Sequence, residues 1–341
     1  MKKGLLVYRS NPLSNEFNIG DYIQSLAAMQ FIGCKDVEYL NREELDLYTG
    51  EDIKLICNGW FMHSPYNWPP APKIKPLFVA FHLNSSIKDI ILSNEKNVLY
   101  LKKHEPIGCR DMYTVSLLKE KGIDAYFSGC LTLTLGLKYK SEELKSDSIY
   151  FVDVPSVRKI SINSLMRCAL IFVFDFKKLI KIFRRRFSKF SILNYIKNLF
   201  FVEQYSKIFS MEVLESAEYI AHEIQDSFDC EDAKFKYAEE LLYKYAKAKF
   251  IVTSRIHCAL PCLGLETPVL FIYNTDHDFI SKCRFGGLLE LFHVIQINKN
   301  RLISPYGTNL ITKETLFQNK SKYVIYRDAL INRCTKYVNE E

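Results

Sequence analysis

Short apolar runs alternate along most of the chain with longer stretches of helical period. Leu5 to Tyr8, Lys54 to Cys57, Leu77 to Phe81, Ala125 to Phe127 and Ile149 to Val152 are apolar runs bounded by turn residues, the pattern of buried strands. Between them, residues 20–31 and 112–121 read as helices, the second stopped by Gly122. A second series begins near residue 212. It predicts helices at 212–226 and 233–248, a strand at 250–252 and a helix from Cys258 to Leu265. Strands at 268–272 and 293–297 and a terminal helix at 323–338 complete it. Strand alternating with helix predicts mostly parallel sheets with helices on both faces. A length of 341 residues exceeds the usual single core, so two domains are expected.

Residues 158–207 fit neither series. Twelve Lys and Arg stand here against Asp175 and Glu203, so this stretch carries +10 of a total of +7 and the remainder is slightly acidic. Leu165 to Phe176 is apolar but broken by Arg167 and Asp175, and is too short for a bilayer span of ~20 residues. Lys177 to Phe187 then mixes bulky apolar residues with dense cations. That composition predicts a helix lying in the headgroup plane of an anionic membrane; an apolar side packed on the protein, with solvated cations, is the alternative. Nucleic acid is not expected, because no recognised binding fold accompanies the cations.

Composition adds two constraints. Apolar content of 48% with 25% charged residues is ordinary for a soluble globular protein. Ten cysteines occur without a C-x-x-C pair or metal-ligand spacing, and a disulfide framework is not expected in so long a chain. Reduced thiols and a cytoplasmic location follow. The first apolar run is too short for a signal peptide and reads as the first strand.

The chemistry centres on Thr253-Ser254-Arg255-Ile256-His257, between the strand at 250–252 and the helix after it. Ligands of open α/β sheets sit at this carboxyl edge, where free N–H groups of the helix favour an anion. Arginine adds a planar fork of donors, and histidine a proton near neutral pH. An ion pair for Arg255 and a turn cap for His257 would account for the same residues. Four further loops carry candidates. Asn18-Ile19-Gly20-Asp21 permits close backbone approach, and its Asp21 would either cap the helix or accept from a ligand hydroxyl. Asn58-Gly59-Trp60 is a turn or a cleft wall. Gly108-Cys109-Arg110-Asp111 sets an arginine at another strand end. Ser128-Gly129-Cys130-Leu131-Thr132 precedes an alternating stretch that suits a buried strand or linker. Nothing marks Cys130 as an activated thiol.

Taken in order, Asn18-x-Gly20-Asp21, Gly108-Cys109-Arg110-Asp111, Ser128-Gly129-Cys130-Leu131-Thr132 and Ser254-Arg255-Ile256-His257 with Pro268 beyond resemble the polysaccharide pyruvyl transferases. The basic segment has no counterpart in that resemblance. The resemblance implies two Rossmann-like α/β domains facing across a cleft, the GT-B arrangement. These would be an acceptor-side domain over 1–155, a basic insertion over 156–210, a donor-binding domain over 211–310 and a helical tail over 311–341. It also implies phosphoenolpyruvate as co-substrate, with no cofactor. The acceptor would be a sugar diol of a surface glycan or its lipid-linked precursor, and the product a pyruvate ketal. Arg255 and His257 would serve donor binding and catalysis. Arg110 and Ser254 would join the donor site, Asp21 would orient or deprotonate the acceptor, and Asn18, Gly20, Asn58, Ser128 and His277 are cleft candidates. No metal is required. Peripheral attachment at the inner face of the plasma membrane is expected. Two other readings share these residues: a glycosyltransferase using a nucleotide sugar, and a non-catalytic scaffold of polysaccharide assembly.

Overall fold

The structure, a computed structural model, describes the chain except residues 34, 144, 158–160, 277, 279–281 and 341. The first half contains β1 (Lys2–Val7), β2 (Glu16–Asn18), α1 (Ile19–Ile32), β3 (Val37–Asn41), β4 (Ile53–Phe61) and β5 (Ile74–Leu83). It continues with α2 (Lys88–Ser93), α3 (Glu95–Lys103), β6 (Ile107–Cys109), α4 (Met112–Glu120), β7 (Ala125–Phe127) and α5 (Gly136–Tyr139). After β8 (Ile149–Val152) come α6 (Ile162–Phe174), α7 (Phe176–Arg186), α8 (Ile192–Tyr205), α9 (Met211–Ser216), β9 (Glu218–Ile220) and β10 (Glu223–Gln225). The chain ends with α10 (Glu231–Lys247), β11 (Phe250–Thr253), α11 (Ile256–Gly264), β12 (Val269–Asn274), β13 (His293–Asn298), β14 (Arg301–Ile303) and α12 (Tyr323–Asn339).

Two six-stranded sheets result, in the orders β3-β1-β4-β5-β6-β7 and β14-β13-β12-β11-β8-β9. Their pairings are parallel except β13 with β14. The central strands are covered on both faces, which is why their sequences are continuous apolar runs rather than alternating ones; all four residues of β11 are buried. A separate two-stranded ribbon joins β2 antiparallel to β10, stitching the start of the chain to its second half. The terminal helix α12 returns to the first sheet. Its Leu330 and Cys334 lie in that core. The Tyr337 hydroxyl accepts from Leu55 N at 3.0 Å, and Arg333 Nη2 donates to the Pro106 carbonyl at 2.9 Å.

Three expectations change. The helix predicted over 212–226 stops at Ser216, and β9 and β10 replace its remainder. Strand partners override the local period: β8 takes β9 and β2 takes β10. The alternating stretch after Cys130 is a 3-10 turn over Leu131–Thr134 leading into α5, with apolar and polar residues alike buried. It packs on α11 without spacing, since a Cβ on Gly136 would fall 2.2 Å from the Gly264 carbonyl oxygen.

The third change concerns 158–207, which belongs to the second half after all. A parallel strand pair needs a crossover, and α6 to α9 form the one from β8 to β9. Leu179, Ile182, Phe201, Val202 and Tyr205 seal one face of the second sheet. So α7 turns its apolar side inward, the alternative reading of that sequence. Arg186 is structural: its guanidinium lies 3.5 Å over the Phe201 ring, donates to Asn198 Oδ1 at 3.1 Å, and burial lowers its pKa to about 10. Among the described residues no helix is long and apolar enough to cross a membrane.

Candidate active site

At the carboxyl edge of the second sheet lies a cavity of about 330 Å³. Its walls include Asn18 from the first half and Pro155, His222, Arg255, His257 and Arg284 from the second. The loop after β11 builds the nearest wall. Thr253 Oγ1 accepts from Arg255 N at 3.0 Å, and Ser254 Oγ donates to the Asp153 carbonyl at 2.6 Å, so this strand end is tied to that of β8. Helix α11 then starts with no side-chain cap, which leaves its first N–H groups directed at the cavity edge.

His257 is buried on the first turn of α11. Gly20 of α1 lies against it: a Cβ there would stand 2.9 Å from His257 Cβ and 3.3 Å from its Nδ1, so any larger residue would drive the two helix starts apart. Asn18 caps α1 by accepting from Gly20 N at 2.9 Å, and Ile19 N donates to the His222 carbonyl at 2.9 Å. The Asn18–Asp21 loop is thereby held on the far side of His257.

Arg110 arrives from the first sheet. It follows β6, and its Nη1 lies 3.2 Å from His257 Nε2. A guanidinium only donates, so Nε2 offers its lone pair and the ring proton sits on Nδ1. Burial, then Arg110 and Arg284, hold His257 well below its ordinary pKa, so the imidazole is neutral. Arg110 is fully buried, and its Nε and Nη2 have no hydrogen-bond partner among the described residues. Its neighbour Asp111 acts on it only through space and makes no ion pair with it. That carboxylate caps α4 through Thr114 N at 2.9 Å and holds His82 Nδ1 at 2.6 Å, both in the core. Burial keeps His82 neutral, with its pKa lowered to about 4.

Arg284 completes the cluster and was not legible in the sequence. It precedes Phe285-Gly286-Gly287, and Met112 N donates to the Gly286 carbonyl at 3.0 Å, which brings this loop against the start of α4 and so towards Arg110. Its Nε also has no partner among the described residues. Burial and then Arg110 lower its pKa to about 10. The only signal was a cation beside a Gly-Gly turn. His222, a second unforeseen wall residue, receives or gives a hydrogen bond at 2.8 Å with the Tyr245 hydroxyl.

Asp21 lies next to this group. Burial raises its carboxyl pKa against the pull of Arg42, Arg284 and Arg110, and Gln24 Nε2 donates to Oδ1 at 2.9 Å. Arg255, in contrast, is already matched. Its Nε lies 2.6 Å from Asp153 Oδ2 and its Nη2 3.0 Å from Glu223 Oε1, the ion-pair reading of that residue. Burial alone would lower its pKa; the two carboxylates more than reverse this.

The remaining candidates stand apart from the cavity wall. Asn58 is buried in a bulge of β4, where Nδ2 donates to the Gln24 carbonyl at 2.9 Å. The buried Ser128 hydroxyl is engaged by Ala80 N and the Cys109 carbonyl, both at 3.0 Å, and so clamps strand ends together. Cys130 is buried, and burial raises its thiol pKa. His277 lies outside the described residues.

Two guanidiniums and a helix start, with one half-buried carboxyl near them, form a concentrated positive site. A buried charge without a partner costs several kcal/mol, so this arrangement is suited to an anion. No curated protein matches the chain significantly. A functionally uncharacterised protein of Klebsiella pneumoniae subsp. pneumoniae has a crystal structure similar at a TM-score of 0.42 and 15% identity, over 84% of this chain and 88% of that one. The polysaccharide pyruvyl transferase profile matches residues 18–277, which include Asn18–Asp21, Arg110 and Ser254–His257. The chain belongs to the polysaccharide pyruvyl transferase family.

Proposed function

We propose that the protein transfers the enolpyruvyl group of phosphoenolpyruvate to a sugar diol of a surface polysaccharide or its lipid-linked precursor, forming a pyruvate ketal. The observation that carries this reading is Arg110, fully buried beside His257 with two guanidinium nitrogens lacking a hydrogen-bond partner among the described residues. A donor with a carboxylate and a phosphate brings about three negative charges. Arg110 and Arg284, with the start of α11, supply the matching cations and N–H groups. The two sheets then act as GT-B-like lobes, the second carrying most of the donor wall and the Asn18–Asp21 loop of the first facing the acceptor.

In the reaction C3 of the donor gains a proton and becomes a methyl group, while a sugar hydroxyl oxygen bonds to C2. The C2–O bond to phosphate breaks with its electron pair on phosphate. The second hydroxyl closes the ketal at C2, and its proton leaves with the phosphate. Neutral His257 is suited to take the first hydroxyl proton through Nε2 and deliver it to C3, which requires Arg110 to turn from the imidazole to the donor's anionic end. Donor charge beside the ring also raises its basicity at the moment the proton must be held. Asp21, its pKa raised by burial, is the partner for the acceptor hydroxyl. Arg255 braces the loop through Asp153 and Glu223 rather than leading the clamp. The scheme uses no cofactor.

Calorimetric titration of the purified protein with phosphoenolpyruvate and, separately, with nucleotide sugars tests the donor. Saturable binding of phosphoenolpyruvate, competed by inorganic phosphate and weakened in Arg284→Gln, is expected. Binding of a nucleotide sugar with none of phosphoenolpyruvate would replace this reading by glycosyl transfer.

A further inference from the structure

We propose that the outer face of α6, with the turn between α7 and α8, is a docking surface for an anionic lipid bilayer. This goes beyond the donor chemistry and does not depend on it. Helix α6 buries only Ser164, Cys168 and Ile171, a single narrow stripe against the rest of the protein. Its other apolar residues face outward: Ile162, Leu165, Met166 and Phe174 are 78%, 50%, 61% and 78% exposed. A helix apolar on nearly all sides is ordinarily covered by something. The turn into α8 adds Phe190 and Ile192, at 73% and 74% exposure. Helix α6 packs on both α7 and α8, so these residues lie on one helical layer.

Cations accompany the apolar residues. Lys177 and Lys178 follow Phe176 directly, and Lys181, Arg184 and Lys189 are exposed beyond them. Lys178 and Lys181 pair with Asp175 and Glu215, whereas Lys177, Arg184 and Lys189 have no ion pair among the described residues. A surface depression of about 540 Å³ beside α7 collects Lys181, Arg184, Arg185 and Lys313 around Glu212 and Glu215. Exposed apolar side chains next to unmatched cations are complementary to acyl chains beneath phosphate headgroups.

The occupant follows from length and charge. At about 1.5 Å per residue, the 13 residues of α6 reach only about two-thirds of a ~30 Å hydrocarbon core, so the helix lies in the interface. A second copy would bring two equally cationic segments face to face, which like-charge repulsion opposes. The layer is also fastened to the cavity wall, since Tyr205 of α8 donates to the carbonyl of Pro155 at 2.8 Å. A bilayer held by α6 is thus connected rigidly to the site that would receive a lipid-linked acceptor.

Flotation of the full chain with vesicles tests this. Phosphatidylcholine vesicles containing about 30% phosphatidylglycerol should carry the protein, and pure phosphatidylcholine should not. Leu165→Gln with Met166→Gln should lower the bound fraction at least about tenfold, as should Lys177→Gln with Arg184→Gln and Lys189→Gln. If the first pair disturbs folding, judged by the thermal midpoint, Phe190→Ser with Ile192→Ser replaces it. No flotation, equal flotation with neutral vesicles, or binding indifferent to both classes of variant would overturn the proposal. So would a dimer in sedimentation velocity that the apolar variants dissolve, because the face would then belong to a second copy.

Discussion

Arg110 and Arg255 occupy equivalent places: each follows a parallel strand and stands where a helix begins. Their electrostatic fates are opposite. Beside β11 runs β8, whose end supplies Asp153, and β10 supplies Glu223, so Arg255 is matched twice. Beside β6 runs β5, whose end supplies His82 rather than a carboxylate, and His82 takes the one adjacent acid, Asp111. Arg110 is left with His257, an acceptor of one hydrogen bond. The strand neighbour, far away in sequence, decides whether an arginine at a sheet edge is a brace or a ligand-binding group.

His257 is where the two loops meet, so its loss should be the largest effect. His257→Gln should reduce phosphate release from phosphoenolpyruvate with acceptor by about 10²–10⁴-fold while donor affinity changes little. Turnover within a few fold of the parent would remove the proton-transfer role. Next comes Arg110→Met, expected to weaken donor binding by about 2–5 kcal/mol in calorimetry. Its thermal midpoint should hold or rise, because an unmatched buried charge is removed. If the midpoint falls by many degrees and binding persists, Arg110 is the brace and the comparison inverts.

Arg255 should behave the other way. Arg255→Ala and Asp153→Ala should each destabilise the fold, with a coupling of about 1 kcal/mol in a double-mutant cycle, modest because the pair is partly solvated. Additive losses would show that the ion pair is incidental. The smallest effect is a pH slope. His257 is neutral in the folded protein, whereas in the unfolded chain it takes a proton below about pH 6.5. Falling pH therefore favours unfolding, by at most about 1.4 kcal/mol per unit. His82, lowered to about 4, acts in the same direction. Thermal unfolding from pH 7.5 to 5 should show a shallower loss in His257→Gln than in the parent, and saturating phosphoenolpyruvate should flatten the parent's slope. Identical slopes would mean that His257 takes its proton over the same pH range folded and unfolded, and so is not held neutral by the fold.

Much of the framework is readable from the chain because it is local. Leu5–Tyr8, Lys54–Cys57 and Phe250–Val252 are apolar enough to be strands covered on both faces, and Gly122, at φ +68°, ends a helix wherever the helix packs. The loops carrying Asn18–Asp21, Arg110 and Ser254–His257 could be set at strand-to-helix junctions for the same reason. Segments whose partners are remote were not readable. Glu218–Ile220 and Glu223–Gln225 have helical surroundings in sequence and become strands only because β8 and β2 offer free edges. Nor could the sequence show that the Ser128 hydroxyl ties Ala80 of β5 to Cys109 of β6.

The basic segment divides along the same line. Its charge and apolarity were fixed by composition, but which apolar residues face inward depends on the sheet beneath. Helix α7 turns Leu179 and Ile182 to that sheet and hides Arg186, while α6 keeps Leu165, Met166 and Phe174 outside.

By itself, then, the sequence determined where the apolar central strands and the helix starts beside them fall, and therefore which polar residues reach a sheet edge, because those features depend on neighbours within a few residues. Tertiary structure alone decided that Arg110 and Arg284 keep guanidinium nitrogens without a partner among the described residues, that Arg255 has two carboxylates, and that His257 is neutral. Charge balance is settled by side chains from elements remote in sequence, and burial sets how strongly each imbalance is felt.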